Sequence, residues 1–134
     1  MFINKLPYTL GIPFEDCSID LKFIEVNSHM GKLYKSQKLS EVYIFGKKFN
    51  SNCFLWFQHE KITRIKYLFD LKHFDLFYNS INENLPEGYF LKEDPLNNIE
   101  MYDCFINNLC ISLNKLKDYI SLEIWEIKSN NPSL

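Results

Sequence analysis

Residues 53–85 read CFLWFQHEKITRIKYLFDLKHFDLFYNSINENL, and the spacing of apolar residues changes inside this stretch. Residues 53–58 are almost all apolar, which indicates a central strand covered on both faces. Residues 62–69 follow as a second run of strand-forming residues. From Leu71 onward the apolar residues recur every three or four positions, which predicts one face of a helix that Asp70 can cap. The stretch therefore predicts two strands followed by a helix.

Further strands are predicted on both sides of this stretch. Residues 19–26 alternate apolar and polar side chains, and residues 41–46 are rich in strand formers. Turn-forming residues separate the four strands as in an antiparallel meander, at 29–32, 50–52 and 59–61. Alternating apolar residues predict a last strand over 119–127.

A second helix is predicted to begin at Pro95, with Asp94 as its cap, after Pro86-Glu87-Gly88 ends the first. Its apolar residues repeat with the spacing 3-4-3-4-3: Ile99, Tyr102, Ile106, Leu109, Leu113 and Leu116. Strands followed by helices indicate the α+β class. We therefore expect a mainly antiparallel sheet of about five strands, with two helices between the fourth and the last strand, in a single domain over residues 1–134.

Composition bounds the class of protein. The chain has 134 residues, 46% of them hydrophobic and 16% aromatic, which is typical of one globular domain with a core rich in rings. It contains no alanine, and Arg64 is the only arginine beside fourteen lysines. This usage indicates an AT-rich genome, so the scarcity of arginine says little about chemistry.

The cysteines and the lack of targeting segments favour a cytoplasmic protein. Cys17, Cys53, Cys104 and Cys110 form no CxxC pair, and we expect four reduced, mostly buried thiols, with a zinc site or a disulfide as the alternative. The first residues lack the pattern of a secretory leader. No apolar run approaches the roughly 18 residues of a membrane span, so no membrane association is expected.

No catalytic or cofactor-binding motif is complete. His59-Glu60 begins like a zinc-protease motif, but Thr63 occupies the position of the second histidine. Asp70, His73 and Asp75 provide too few ligands on one turn to hold a metal ion. We therefore predict no catalytic residue, no metal and no cofactor. A small enzyme with a dispersed site of histidine and carboxylates is the alternative.

Lysines and aromatic residues between positions 32 and 49 raise nucleic acid as a partner, and the composition argues against it. Lysines alternate with aromatic residues between positions 32 and 49, a mixture that can bind phosphates and stack bases. The residues are Lys32, Lys35, Lys38, Lys47 and Lys48, with Tyr34, Tyr43, Phe45 and Phe49. The net charge of −2 and the near absence of arginine argue against this function.

Charge is distributed unevenly along the chain. Residues 1–69 carry a net charge of +4, whereas residues 70–103 hold eight carboxylates and two lysines, a net charge of −6. Acids are common at helix starts, but an acidic surface also attracts basic proteins, and aromatic residues anchor interfaces. The predicted partner-binding residues are Asp70, Asp75, Glu83, Glu87, Glu93, Asp94, Glu100 and Asp103, with Tyr89 and Phe90.

This profile resembles that of the small immunity proteins of bacterial toxin systems, including the contact-dependent inhibition and polymorphic-toxin types. The length, the many aromatic residues, the lack of a catalytic motif and the acidic residues 70–103 carry the resemblance. It implies a cytosolic inhibitor that occludes a basic, nuclease-like toxin through an acidic face. A phage-type inhibitor of a host defence protein has the same profile and is a further alternative.

Overall fold

A large antiparallel sheet with a helix packed against it forms the fold in the computed structural model, which describes residues 1–95 and 99–127. The strands are β1 (Leu21–Asn27), β2 (Gly31–Ser36), β3 (Ser40–Ile44), β4 (Lys47–Gln58), β5 (Lys61–Asp70), β6 (Lys92–Glu93), β7 (Glu100–Ile106), β8 (Leu109–Lys115) and β9 (Tyr119–Glu126). The helix α1 spans Phe74–Asn84 and follows a short 3₁₀ turn at Leu71–His73.

The strand order places the last strand in the middle of the sheet. Neighbouring strands run in the order β1-β2-β4-β5-β9-β8-β7-β6, and β3 pairs with the first half of β4. β9 lies between β5 and β8, antiparallel to both. The centre of the sheet is therefore completed by segments that are far apart in the sequence.

The predicted fold class is wrong in its count of strands and helices. Within the described residues the sheet has nine strands and there is one α-helix, whereas about five strands and two helices were expected. Residues 100–115 of the predicted second helix form the β7–β8 hairpin, and residues 96–98 of it lie outside the described residues. The Asp94 N–H pairs with the Met101 carbonyl of β7, so Asp94 does not act as the predicted helix cap.

The apolar spacing in this hairpin imitates a helix. Tyr102 and Ile106 are four residues apart, as are Leu109 and Leu113, and a step of four returns to the same face in a strand as well as in a helix. The step of three joins Ile106 to Leu109, which are directly opposite each other across the turn. Asn107 in that turn has a φ of 54°, in the left-handed region that asparagine tolerates.

The other predicted elements are mostly confirmed. A strand at 21–27, the strand β5, the helix α1 and the last strand β9 agree with the expectation. Asp70 caps the turn before α1, since its carboxylate accepts a hydrogen bond from the Lys72 N–H at 3.0 Å. The turn predicted at 50–52 is wrong, because β4 runs straight through it and pairs there with β3. Strand β2 has no counterpart in the prediction.

Aromatic rings join α1 to the sheet. Phe77 of α1 is fully buried, and its ring lies 4.6 Å from that of Phe69 and 5.0 Å from that of Phe49, between ring centres. Phe74 and Tyr78 of α1 pack against Tyr102 of β7 at 5.6 and 5.2 Å. These contacts define the side of the sheet that we call the helix face.

The residues before β1 also cover the helix face. The Tyr67 side chain is buried, and its hydroxyl donates a hydrogen bond to the Tyr8 carbonyl oxygen at 2.9 Å. The Tyr8 N–H donates back to the same hydroxyl at 3.0 Å. Phe14 packs its ring on Tyr34 and Phe57 at 4.9 and 5.2 Å. The N-terminal segment is therefore part of the core.

The opposite face of the sheet carries polar and charged residues. The Ser112 hydroxyl donates to the Asn114 Oδ1 at 3.1 Å, and the Asn114 amide donates to the Ser121 hydroxyl at 3.0 Å, all three side chains being buried. Arg64 lies between the only two tryptophans of the chain, 4.3 Å from the Trp125 ring centre and 5.6 Å from that of Trp56.

Arg64 also donates to Glu123, which lies 3.8 Å from the Lys66 ammonium. A flat guanidinium can lie parallel to a ring while its edge donates hydrogen bonds, a planar geometry that a tetrahedral ammonium lacks. This geometry gives a structural reason for an arginine in a chain that otherwise uses lysine.

Candidate protein-binding edge

The acidic segment divides into two groups in space. Asp70 ends β5, Asp75 begins α1 and Glu83 lies in the last turn of α1, all three exposed. The remaining carboxylates lie in the turn after α1, in β6 and the residue that follows it, and in β7: Glu87, Glu93, Asp94, Glu100 and Asp103. The second group gathers at one end of the sheet, because β6 and β7 are its last two strands.

Strand pairing fixes the positions of these carboxylates. Glu93 lies opposite Tyr102, and Lys92 lies opposite Asp103. The Asp94 N–H donates to the Met101 carbonyl at 2.8 Å. Because side chains alternate along a strand, Glu93 projects to the helix face, and Asp103 projects to the opposite face. The carboxylates therefore surround the edge of the sheet on both of its faces.

The pKa of Tyr102 is affected by the carboxylates on its face of the sheet. Burial of its hydroxyl raises its pKa above the ordinary value, and the nearby charges of Glu100 and Glu93 raise it further. Glu100 is itself 3.8 Å from the Lys115 ammonium, so part of its charge is compensated. A tyrosine is neutral at physiological pH in any case, and these effects keep the Tyr102 hydroxyl protonated to higher pH.

A cleft of about 480 Å³ opens between the segment before β6 and strand β7. Its lining includes six side chains that combine rings with carboxylates: Tyr89, Phe90, Phe105, Glu93, Asp94 and Asp103. Phe105 is 58% exposed, Phe90 53% and Tyr89 41%. Exposed rings beside carboxylates can bind both the apolar stem and the charged head of a basic side chain.

Asp103 contributes a partly buried carboxylate to this cleft. Its Oδ1 atom is buried and has no hydrogen-bond partner among residues 1–95 and 99–127. The ammonium of Lys92, from the residue opposite, lies 5.2 Å from the Phe90 ring centre. The cleft thus already holds one cation against one of its rings.

The structure brings together about half of the predicted partner-binding residues. Tyr89, Phe90, Glu93, Asp94 and Asp103 line the cleft, and Glu87 lies in the turn that leads into it. Asp70, Asp75 and Glu83 do not line the cleft, and Glu100 shares β7 but not the cleft lining. Phe105 was not among the predicted residues, because its neighbours Cys104 and Ile106 are also apolar and give no local signal that the Phe105 side chain is exposed.

The four thiols are buried, as predicted, and form no disulfide. Burial raises the pKa of Cys104 above its ordinary value, although Lys92 lowers it in part. Burial likewise raises the pKa of Cys110 to about 12. Thiols with such pKa values stay protonated at neutral pH and are poor nucleophiles.

Two further findings concern metals and membranes. In the part of the chain that the structure describes, no three or more His, Cys, Asp or Glu side chains are grouped to hold a metal ion. No helix in residues 1–95 and 99–127 combines the length and the apolar character needed to cross a bilayer.

The aromatic residues between positions 32 and 49 mostly pack inside the protein. Phe49 is buried against Phe77, Phe45 packs on Phe2 at 5.5 Å, and Tyr34 packs on Phe14. These three rings are therefore not presented as a stacking platform for bases.

Comparison with protein-family models, with curated proteins and with solved structures finds no match to this chain.

Proposed function

We propose that this chain is a cytosolic inhibitor of the immunity-protein type, which binds a basic, nuclease-like toxin at the edge formed by β6, β7 and the segment before them. The observation that carries the proposal is the set of exposed rings, Tyr89, Phe90 and Phe105, around a cleft lined with carboxylates. Aromatic residues dominate the energy of protein interfaces, and a charged rim speeds the encounter.

The carboxylates and the aromatic rings of this edge act at different stages of binding. The carboxylates of Glu87 and Glu93 are exposed and act at a distance on a positive partner. Phe105 and Phe90 present large apolar surfaces that lose contact with water only when the partner is seated. Charge reversal should therefore change the association rate, and loss of a ring should change the dissociation rate.

The test is binding to the product of the neighbouring gene, measured by surface plasmon resonance at several salt concentrations. The triple variant Glu87→Lys, Glu93→Lys and Asp94→Lys should associate about tenfold or more slowly at low salt, because it replaces attraction by repulsion. The difference should shrink as salt is added. Far-ultraviolet circular dichroism should show an unchanged fold.

A matched triple, Glu15→Lys, Asp75→Lys and Glu83→Lys, changes the net charge equally but away from the cleft and should slow association much less. Phe105→Ala should speed dissociation while leaving association nearly unchanged. Absence of a salt-sensitive complex with the neighbouring product, or equal slowing by the two triples, contradicts the proposal.

A further inference from the structure

β1 is an edge strand that carries exposed apolar side chains. β1 ends the sheet, and among the described residues β2 is its only neighbouring strand. Phe23 is 49% exposed, Ile24 44% and Val26 66%. Proteins usually shorten, charge or cover such an edge, because its free N–H and C=O groups are a template for another strand. This seven-residue edge strand combines three exposed apolar side chains with one Lys and one Glu, and it is long enough to pair with another strand.

A bulge at Ile24 changes which residues of β1 share a face. Lys22 lies opposite Lys35 of β2, and Glu25 lies opposite Leu33. Positions 33 and 35 are two apart on β2 and so share a face, which places Lys22 and Glu25 on one face as well. In a regular strand, residues three apart would lie on opposite faces.

The same bulge gathers the apolar residues on the other face. Leu21, Phe23 and Val26 lie opposite Ser36, Tyr34 and Lys32, which alternate along β2 and share a face. β1 is therefore apolar on one face and carries one Lys and one Glu on the other. Bulges often protect an edge from pairing, but this one makes the order of residues self-complementary.

We propose that β1 pairs antiparallel with β1 of a second copy of this chain, about a two-fold axis between Phe23 and Ile24. In this register Lys22 lies opposite Glu25 of the second copy, and the pair occurs twice by symmetry. Leu21 lies opposite Val26 of the second copy, and Phe23 lies opposite Ile24. The pairs Lys22–Glu25 and Leu21–Val26 then each join side chains of one face, the first of opposite charge and the second apolar, and the apolar Phe23 and Ile24 meet at the axis.

Neighbouring registers lack this match. A shift by one residue sets Lys22 opposite Ile24 or Val26, so that a charge faces an apolar side chain and no ion pair forms. Symmetric pairing of one patch with itself is the commonest way in which soluble proteins dimerise. A contact one strand wide is small, so we expect a weak dimer with a dissociation constant in the micromolar range, on the order of 1–100 µM.

This dimer is independent of the proposed function. β1 and β6 lie at opposite ends of the strand order, so pairing through β1 leaves the acidic cleft open. Failure of toxin binding would not affect the dimer, and a monomeric chain would not affect toxin binding.

Sedimentation velocity over a wide range of protein concentrations tests the pairing. Wild type should show a concentration-dependent dimer. Lys22→Glu alone and Glu25→Lys alone each turn two attractive pairs into two repulsive pairs, and each should weaken the dimer about tenfold or more. The double variant Lys22→Glu with Glu25→Lys restores both ion pairs in reversed order and should dimerise within a few-fold of wild type.

The double variant Glu41→Lys with Lys48→Glu is a control, because it swaps an exposed ion pair of 3.6 Å between β3 and β4, away from β1. It should dimerise like wild type. Thermal unfolding checks that every variant is folded. A wild type that stays monomeric at all concentrations overturns the proposal, as does a double swap that is no tighter than the single reversals.

Discussion

At the scale of single residues, Gly31 is the glycine with the least room for a side chain. Its φ is +89°, and a Cβ at this position would lie 2.1 Å from the Phe57 carbonyl oxygen of β4. The close approach arises because Gly31 begins β2 beside the end of β4. The obstacle is backbone, which cannot turn aside as a side chain can.

Gly31→Ala should therefore destabilise the protein more than an ordinary glycine replacement. A left-handed backbone costs alanine about 1–2 kcal/mol, and the clash adds about 1–3 kcal/mol. Gly11→Ala is the matched control, since its φ is +88° and nothing lies within 4 Å of the added Cβ. Urea unfolding measures both variants. Equal losses of unfolding free energy would show that the contact with Phe57 has no energetic effect.

At the scale of elements, the turn of the β4–β5 hairpin is formed by two residues for which its backbone conformation is unfavourable. His59 and Glu60 have φ values of 50° and 62° between the closing pair Gln58 and Lys61. Two left-handed residues define the turn type that hairpins favour, but asparagine and glycine are the residues that adopt it easily. This hairpin therefore forms against a local conformational cost.

Glu60→Gly should raise the unfolding free energy by about 1 kcal/mol, because glycine adopts the left-handed backbone without a Cβ clash. Glu60→Ala removes the same carboxylate without relieving the backbone and should bring no gain. Thermal and urea unfolding of the two variants separate the effect of conformation from that of charge. A gain shared by both variants would instead assign the effect to the carboxylate.

The elements also show what the sequence could predict. The change from strand to helix at Asp70 is visible in the sequence because the spacing of buried residues changes there. β5 buries every second residue over 65–69, whereas α1 buries Phe77 and Ile81, which are four residues apart. The β7–β8 hairpin was misread because Tyr102, Ile106, Leu109 and Leu113 satisfy both periods, and only Cys104 and Ile111, buried between them, distinguish a strand.

The same misreading limited the prediction of the site. The excess of carboxylates was evident from the sequence, but a helix would have turned Glu100 and Asp103 to neighbouring positions on one face. In the hairpin they project to opposite faces, and Phe105 joins Phe90 at the cleft. Side-chain groups that depend on strand pairing over long separations cannot be read from local spacing.

At the scale of the whole molecule, buried thiols and hydroxyls determine how the free energy of unfolding changes at alkaline pH. Burial raises the pKa of Cys110 from 9.0 to about 12, and it also raises those of Cys53 and Tyr67. A raised pKa means that the folded state holds these protons more tightly than the unfolded state. The stabilisation is complete below the unfolded pKa and is lost as the pH rises toward the folded pKa.

The unfolding free energy should thus be nearly constant near neutral pH and should fall between pH 9.0 and about 12 through Cys110. Urea midpoints across this range measure the decline. Cys110→Val removes one of the titrating groups, so its curve should fall less steeply than that of wild type. Parallel curves for the two proteins would contradict the assignment to this thiol.

The position of β9 in the sheet has a consequence for how the chain is made. β5 leaves the ribosome with one edge unpaired, because its neighbour β9 is synthesised later. At synthesis rates of about 5–20 residues per second, the interval between residues 70 and 126 is roughly 3–11 s. During that interval the apolar strands β4 and β5 are exposed to chaperones and to other nascent chains. Strand order alone therefore makes completion of the sheet wait until β9 has been synthesised.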